Sequence, residues 1–254
     1  MYTHKVIHTV IHALVFSLLT ACSTTNQPHS VAKQNIIIGQ GGATASKQSI
    51  EEMIVPYRIP LQQTMAEVLV TSDAPAVKAL PESSLGNLVC DLMRSQAGKI
   101  TGKQPDIAFY NTGGLRIELP AGDITVSMIY ELAPFENELE TIEILGKDLP
   151  ILFEQISKRK GGPIAGVTLG IDSQGSFKAL IDGQEVIPQK SYILVSNDYL
   201  INGGDNYVIP PFSNRTSLKI KLRDALIAEL REMKKTSATL HPKTDGRIYL
   251  LDTP

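Results

Sequence analysis

Tryptophan is absent from these 254 residues, and six Phe with eight Tyr hold aromatics to 6%. A ring in a polar loop is therefore more informative here than in an average chain. Cysteine occurs only at Cys22 and Cys90, which excludes a disulfide framework and any cysteine-based metal site of the usual spacing. Histidine is just as scarce. His4, His8, His12 and His29 lie in or just after the leader, leaving His241 alone in the body. A two-metal hydrolase site needs several His and Asp side chains gathered at one place, and one late histidine cannot supply them. No excess of positive charge exists either: Lys+Arg 24 against Asp+Glu 26 gives −2, with no basic run. That excludes the electrostatic footprint of a nucleic-acid binder. A bilayer-spanning apolar run is also missing, because Val10 to Leu19 is too short to cross comfortably.

What remains is ordinary globular material, 43% hydrophobic and 20% charged, enough for a real core in one large domain or two small ones. Met1 to Ala21 reads as a secretory signal, with Lys5 as its positive end. It closes on Leu19-Thr20-Ala21-Cys22, which resembles the lipobox of bacterial lipoproteins; the alternative is a plain signal followed by an unrelated cysteine. The resemblance implies cleavage before Cys22, lipid on that cysteine, and a protein anchored rather than spanning. With Ser23 instead of Asp after the cysteine, it also implies the bacterial cell envelope, at the outer membrane facing the periplasm. Residues 22–48, rich in Ser, Thr, Asn, Gln and Gly, read as a flexible tether.

Beyond the tether, Ser49 to Gln63 predicts a helix interrupted at Pro56, and Met65 to Val70 a strand. Ser83 or Ser84 caps a helix in which Leu85, Leu88, Val89, Leu92 and Met93 form one apolar stripe. Cys90 falls inside it and reads as a small buried side chain. Strands are expected at Asp106 to Tyr110, Leu139 to Leu145, Ile164 to Ile171, Ser176 to Ile187 and Tyr192 to Val195. Helices are expected at Thr125 to Leu132, Asp148 to Arg159 and Leu218 to Lys234, with a closing strand ending at Leu250. Strands and helices mix without regular βαβ alternation, so the fold class is α+β: a single mixed α/β domain over 49–254.

Three loops carry ligand-competent side chains. Asn111-Thr112-Gly113-Gly114-Leu115-Arg116 offers a guanidinium suited to phosphate oxygens and glycines that let backbone N–H groups approach. Pro134-Phe135-Glu136-Asn137 sets an aromatic in a polar loop. Tyr199 precedes Asn202-Gly203-Gly204-Asp205, a turn whose carboxylate could accept hydrogen bonds from hydroxyls. Taken singly, each has a plainer reading: Arg116 as a surface or ion-paired arginine, Phe135 as core, the Gly-Gly-Asp stretch as a hairpin turn.

Their order changes the weight. With Gly86-Asn87 in the Ser84–Leu88 helix start and Asp245-Gly246-Arg247-Ile248 near the end, the loops resemble the C-terminal, substrate-binding domain of the 5′-nucleotidase family over roughly Met65 to Leu250. The resemblance implies that Arg116 holds phosphate, that Phe135 and Tyr199 clamp the base, that Asp205 holds the ribose, and that Asn137 meets the base edge. Gly113, Gly114, Gly203 and Gly204 complete the implied substrate-binding set, with no cofactor and no metal. Tyr199 stands where phenylalanine is usual, which keeps the ring. Between Ala74 and Leu92 only Lys78 is available where the family often has further arginines, so the phosphate grip is expected to be reduced.

The same resemblance assigns catalysis to an N-terminal metallophosphoesterase domain whose Asp-x-His and Gly-Asn-His motifs have no counterpart here. Fold likeness does not carry function without its catalytic groups. The expectation is a nucleotide- or nucleoside-binding lipoprotein that does not hydrolyse nucleotides alone and serves a separately encoded metallophosphoesterase subunit. The alternatives are a stand-alone nucleoside-binding or sensing lipoprotein, and a structural lipoprotein with a decayed pocket.

Overall fold

The computed structural model describes residues 44–251. The signal, Cys22 and most of the stretch read as tether lie outside the described residues. Contacts cluster in two units, Met1–Glu51 and Glu52–Pro254, and apart from residues 44–51 the fold and site below belong to the second.

Helix α1 (Thr44–Met65) begins inside the stretch read as tether and runs through Pro56 and Pro60. A break at Pro56 was expected. Each proline removes only one i→i−4 bond, and the helix carries both losses. The first strand, β1 (Val68–Ser72), starts after α1 ends at Met65, so Met65 is helical, not extended.

Helix α2 (Ser84–Thr101) has both ends written into its residues. Ser83 Oγ accepts the Gly86 N–H at 2.9 Å, and Gly102 closes the helix at φ 71°. Its stripe from Leu85 to Met93 is buried, and it packs against α6 (Leu222–Lys235) and strand β2 (Ile107–Phe109). Cys90 is fully buried within α2, and desolvation pushes its thiol far up. Strand β3 (Gly122–Thr125) pairs antiparallel with β1 and leads into α3 (Val126–Leu132), which Thr125 caps.

Then follow β4 (Glu138–Leu145), α4 (Pro150–Lys158), β5 (Ile164–Ala165), β6 (Val167–Ile171), β7 (Phe177–Ile181), β8 (Gln184–Glu185) and β9 (Ser191–Asn197). One helical turn, α5 (Asp198–Ile201), separates β9 from the Gly-Gly stretch; Asn197 caps it, accepting Leu200 N–H at 2.9 Å. A further correction concerns Leu218–Lys221, expected to begin the next helix. They end strand β10 (Phe212–Lys221), and α6 starts only at Leu222. Leu218 and Ile220 point inward at period two, and over four residues that spacing resembles a first helical turn. Strand β11 (Ile248–Leu250) closes the fold.

The central sheet runs β10-β4-β9-β2-β5, and a second runs β11-β6-β7-β8. In the central sheet β2 and β9 are parallel, Ala108 opposite Val195, while β4 lies antiparallel to β9 with Leu139 opposite Asn197. The ends of β2 and β9 and the start of β4 therefore share one edge. Ligand sites in α/β folds favour the carboxyl ends of parallel strands, and all three glycine- or aromatic-bearing loops leave the sheet here.

Two recognised motifs turn out to be structural. Glu82 accepts Asn87 Nδ2–H at 2.6 Å and the N–H groups of Asp245 and Gly246 at 2.8 and 3.0 Å. Arg247 forks onto Asp91 at 2.8 and 2.9 Å and onto Asp245. Gly-Asn and Asp-Gly-Arg thus clasp the start of α2 to the chain's last strand.

Candidate ligand-binding site

At that sheet edge the loops enclose a cavity of about 350 Å³ lined by Tyr110, Asn111, Gly113, Gly114, Arg116, Phe135, Asn137, Tyr199 and Asp205. Small-molecule sites run from about 300 to 1,000 Å³, so this one suits a compact ligand.

The first wall is the turn after β2. Thr112–Gly114 coils into a 3₁₀ turn in which Gly114 N–H reaches Asn111 O at 3.2 Å and Leu115 N–H reaches Thr112 O at 3.2 Å. A Cβ on Gly114 would lie 2.6 Å from Tyr110 Cζ, so that ring occupies the space glycine leaves open. Arg116 N–H donates to Leu132 O at 2.9 Å, which ties the turn to the chain just before Phe135. The Arg116 guanidinium donates from Nη1 to Gly113 O at 3.3 Å and lies 5.9 Å from the Phe135 ring centroid. Lys78, the upstream cation, donates to Leu115 O at 3.0 Å and does not line the cavity.

The second wall is the loop before β4. Phe135 is 47% exposed, not packed in the core. Glu136 holds the loop by pairing with Lys221 and with Arg223 Nη2 at 2.6 Å, and Asn137 O accepts Leu222 N–H at 2.9 Å. The Arg223 guanidinium also lies over Tyr130 at 4.1 Å. An exposed ring on a loop anchored at three points is a stacking surface that needs little ordering on binding.

The third wall follows α5. Gly203 at φ 86° opens a turn that carries Asp205 and Asn206 at φ 53° and 58°, sparsely occupied backbone for non-glycine residues. Hydrogen bonds hold it there. Tyr199 Oη donates to Asp205 Oδ1 at 2.8 Å and accepts Asp205 N–H at 3.0 Å, while Asn111 Nδ2 donates to Asp205 Oδ2 at 2.5 Å. Arg159 donates to Asp205 O at 2.8 Å and rests 4.0 Å above the Tyr207 ring, which meets Phe109 edge-on at 4.9 Å. Gly203 and Gly204 are not cavity-lining; Gly204 leaves room for the Tyr199 ring, whose Cζ would lie 2.5 Å from a Cβ there.

Gly113, Gly114, Arg116, Phe135, Asn137, Tyr199 and Asp205 thus meet around one space, with both rings, the guanidinium and the carboxylate facing it. Sequence reasoning passed over Tyr110, Asn111 and Arg159. Tyr110 reads as the last residue of a buried strand, and Arg159 lies 46 residues before the carbonyl it braces. Asn111 had a signal, its place at the head of the Gly-Gly turn. Asn111 Oδ1 is buried without a partner, an acceptor left open beside the cavity.

Another cavity, of about 460 Å³, is lined by charged side chains already paired with one another, Arg247 with Asp91 and Asp245, and Arg94 with Asp182. It presents no free polar group of that kind. Among the described residues no group of three or more His, Cys, Asp or Glu side chains is arranged to hold a metal ion.

Comparison with known proteins agrees with the fold. Residues 64–211 match the family pattern described as 5′-nucleotidase, C-terminal domain. Endonuclease YhcR of Bacillus subtilis is 35% identical over 125 residues, covering 47% of this chain and 10% of that protein. The trifunctional nucleotide phosphoesterase protein YfkN of the same organism is 27% identical over 184 residues, covering 66% of this chain and 12% of that one. A 5′-nucleotidase precursor from Thermus thermophilus superposes with a TM-score of 0.65 at 25% identity, covering 82% of this chain and 44% of that structure. The chain spans between about a tenth and a third of the curated relatives it matches. On the match over residues 64–211, more than half its length, this chain belongs to the 5′-nucleotidase C-terminal domain family.

Proposed function

We propose that the cavity binds a nucleotide or nucleoside, with the base between Phe135 and Tyr199, the ribose hydroxyls on Asp205, any phosphate on Arg116 and the base edge at Asn137. The observation that carries this is the convergence of two exposed rings, one guanidinium and one carboxylate on a single cavity of about 350 Å³. Stacking on an aromatic contributes about 1–3 kcal/mol per base, and an ionised carboxylate accepts from vicinal hydroxyls. Among the described residues Arg116 is the one cation lining the cavity. Nucleosides therefore compete well with nucleotides in this reading.

The domain supplies recognition, and the metals of phosphate-ester hydrolysis are held by a separately encoded metallophosphoesterase. In this reading the chain contributes the binding residues and the partner contributes the metal ligands. The leader and Leu19-Thr20-Ala21-Cys22 support a lipid anchor at Cys22 in the outer membrane, facing the periplasm. Titration calorimetry with adenosine, AMP and ATP tests the pocket, and a flat trace for all three would instead favour a structural lipoprotein. Incubation of the chain with AMP and a divalent metal is expected to release no phosphate; release above background would defeat the division of labour. Loss of radiolabelled palmitate on Cys22→Ala checks the anchor.

A further inference from the structure

Tyr110 is only 1% exposed yet lines the cavity, and its phenol fills the space that Gly114 leaves open. Its backbone is set by the end of β2, with Tyr110 N–H on Pro163 O at 3.1 Å. Asn111 Nδ2 and the Arg116 guanidinium in this wall have protein partners, but the Tyr110 hydroxyl has none among the described residues. Unlike Asn111 Oδ1, the hydroxyl oxygen is not sealed from solvent, and its open side is the ligand space. Burial, with smaller contributions from Cys90 and the Asp205 carboxylate, holds the phenol protonated well above neutral pH, so it is a neutral donor. Asp205 takes Tyr199 and Asn111 and makes no hydrogen bond to the Tyr110 hydroxyl. The phenol is rigid, so little ordering is needed when a ligand arrives.

We infer that Tyr110 is a specificity-determining contact, donating from Oη to an acceptor at the sugar–base junction of a bound nucleoside, beside Asp205. This rests on the proposed nucleoside pocket. The acceptors within that part of a nucleoside are a purine ring nitrogen and the ribose hydroxyl oxygens, which share the same chemistry. The sequence gives no sign of it, because a tyrosine ending an apolar strand reads as core.

Calorimetry on the full chain and on Tyr110→Phe, with adenosine, 2′-deoxyadenosine and 3-deazaadenosine, separates the possibilities. The variant strands no protein partner, so its melting temperature is expected to match the parent's. Adenosine is expected to bind the variant about three- to tenfold more weakly. One analogue, the one lacking the acceptor Tyr110 reaches, is expected to bind both proteins equally. Unchanged adenosine binding in the variant overturns the assignment, and so does an equal loss for all three ligands, which would mark a general distortion. On the parent protein alone, at least one analogue must bind several-fold more weakly than adenosine; if neither does, the assignment fails without any variant. Failure of the parent to bind any nucleoside removes the pocket reading as well, whereas tight binding with an indifferent Tyr110→Phe removes only this contact.

Discussion

Replacing Tyr199 separates two contributions of one residue, its ring and its hydroxyl. The ring faces the cavity at 44% exposure, and the hydroxyl makes two hydrogen bonds to Asp205, one donated to Oδ1 at 2.8 Å and one accepted from N–H at 3.0 Å. Tyr199→Phe keeps the stacking face and deletes both bonds. At a half-exposed site each is worth at the low end of about 0.5–1.5 kcal/mol. Arg159 and Asn111 still hold the turn, at Asp205 O and Oδ2. Asp205 and Asn206 remain at positive φ with less to hold them there. The expected result is a two- to fivefold weaker adenosine affinity, roughly 0.4–1 kcal/mol. Tyr199→Ala removes the ring as well. Stacking at about 1–3 kcal/mol per base predicts a loss of about 5- to 150-fold. Calorimetry on both variants, with circular dichroism to confirm folding, reads the order directly. If Tyr199→Ala binds adenosine like the parent, the ring does not stack on the ligand and the pocket reading is wrong. If Tyr199→Phe is the worse of the two, the hydroxyl rather than the ring dominates and the assignment of roles is inverted.

Arg116→Ala is expected to weaken AMP by about tenfold or more, as a charge-assisted contact to phosphate is lost, and to leave adenosine within about twofold; equal losses for both ligands would detach Arg116 from phosphate. Two glycine variants should behave oppositely. Gly114→Ala drives a Cβ into the buried Tyr110 ring and should cost about 1–3 kcal/mol of stability by urea unfolding. Gly204→Ala pushes on the exposed Tyr199 ring, which can swing away, so it should cost less stability and more affinity; equal stabilities for the pair would contradict the packing described. Acid stability supplies another check. The Arg247 hydrogen bond, outweighing the opposing burial, lowers Asp245 from its usual 3.8 to about 2. A depressed carboxylate stabilises the fold above its unfolded value and loses that contribution as pH falls through its folded value. The parent's advantage over Asp245→Asn in urea midpoint should therefore be full above about pH 4 and fade toward pH 2; an advantage that persists unchanged at pH 2 would refute the ion-pair account of the clasp.

Local periodicity and capping made much of the secondary structure readable. Ser83, Gly102 and the Leu85-to-Met93 stripe specify α2 at both ends and on its buried face, because propensity, cap and burial agree. Where two signals coincide over a few residues, local reading fails. Leu218 and Ile220 suit a strand edge or a first helical turn, and only pairing with β4 decides for the strand. Pro56 and Pro60 mark where a helix is weakened, not whether it stops. Motif roles divide the same way: Gly86-Asn87 and Asp245-Arg247 looked no different from the loop motifs, yet they clasp termini.

By itself the sequence determined which residue types were available for binding: two loop aromatics, one arginine after paired glycines, and one carboxylate in a glycine turn. Their spacing, 111–116, 134–137 and 199–205, contains nothing that says they meet. That was decided by the parallel pairing of β2 with β9 and the antiparallel register of Leu139 on Asn197, which bring two strand ends and one strand start to the same edge. Only the tertiary structure assigned Arg159 to brace the Asp205 turn and placed the Tyr110 hydroxyl, without a partner among the described residues, against the space those loops enclose. The physical reason is range. Caps and periodicity act over a few residues, whereas register couples segments as distant in sequence as Ala108 and Val195 through hydrogen bonds that no local pattern records.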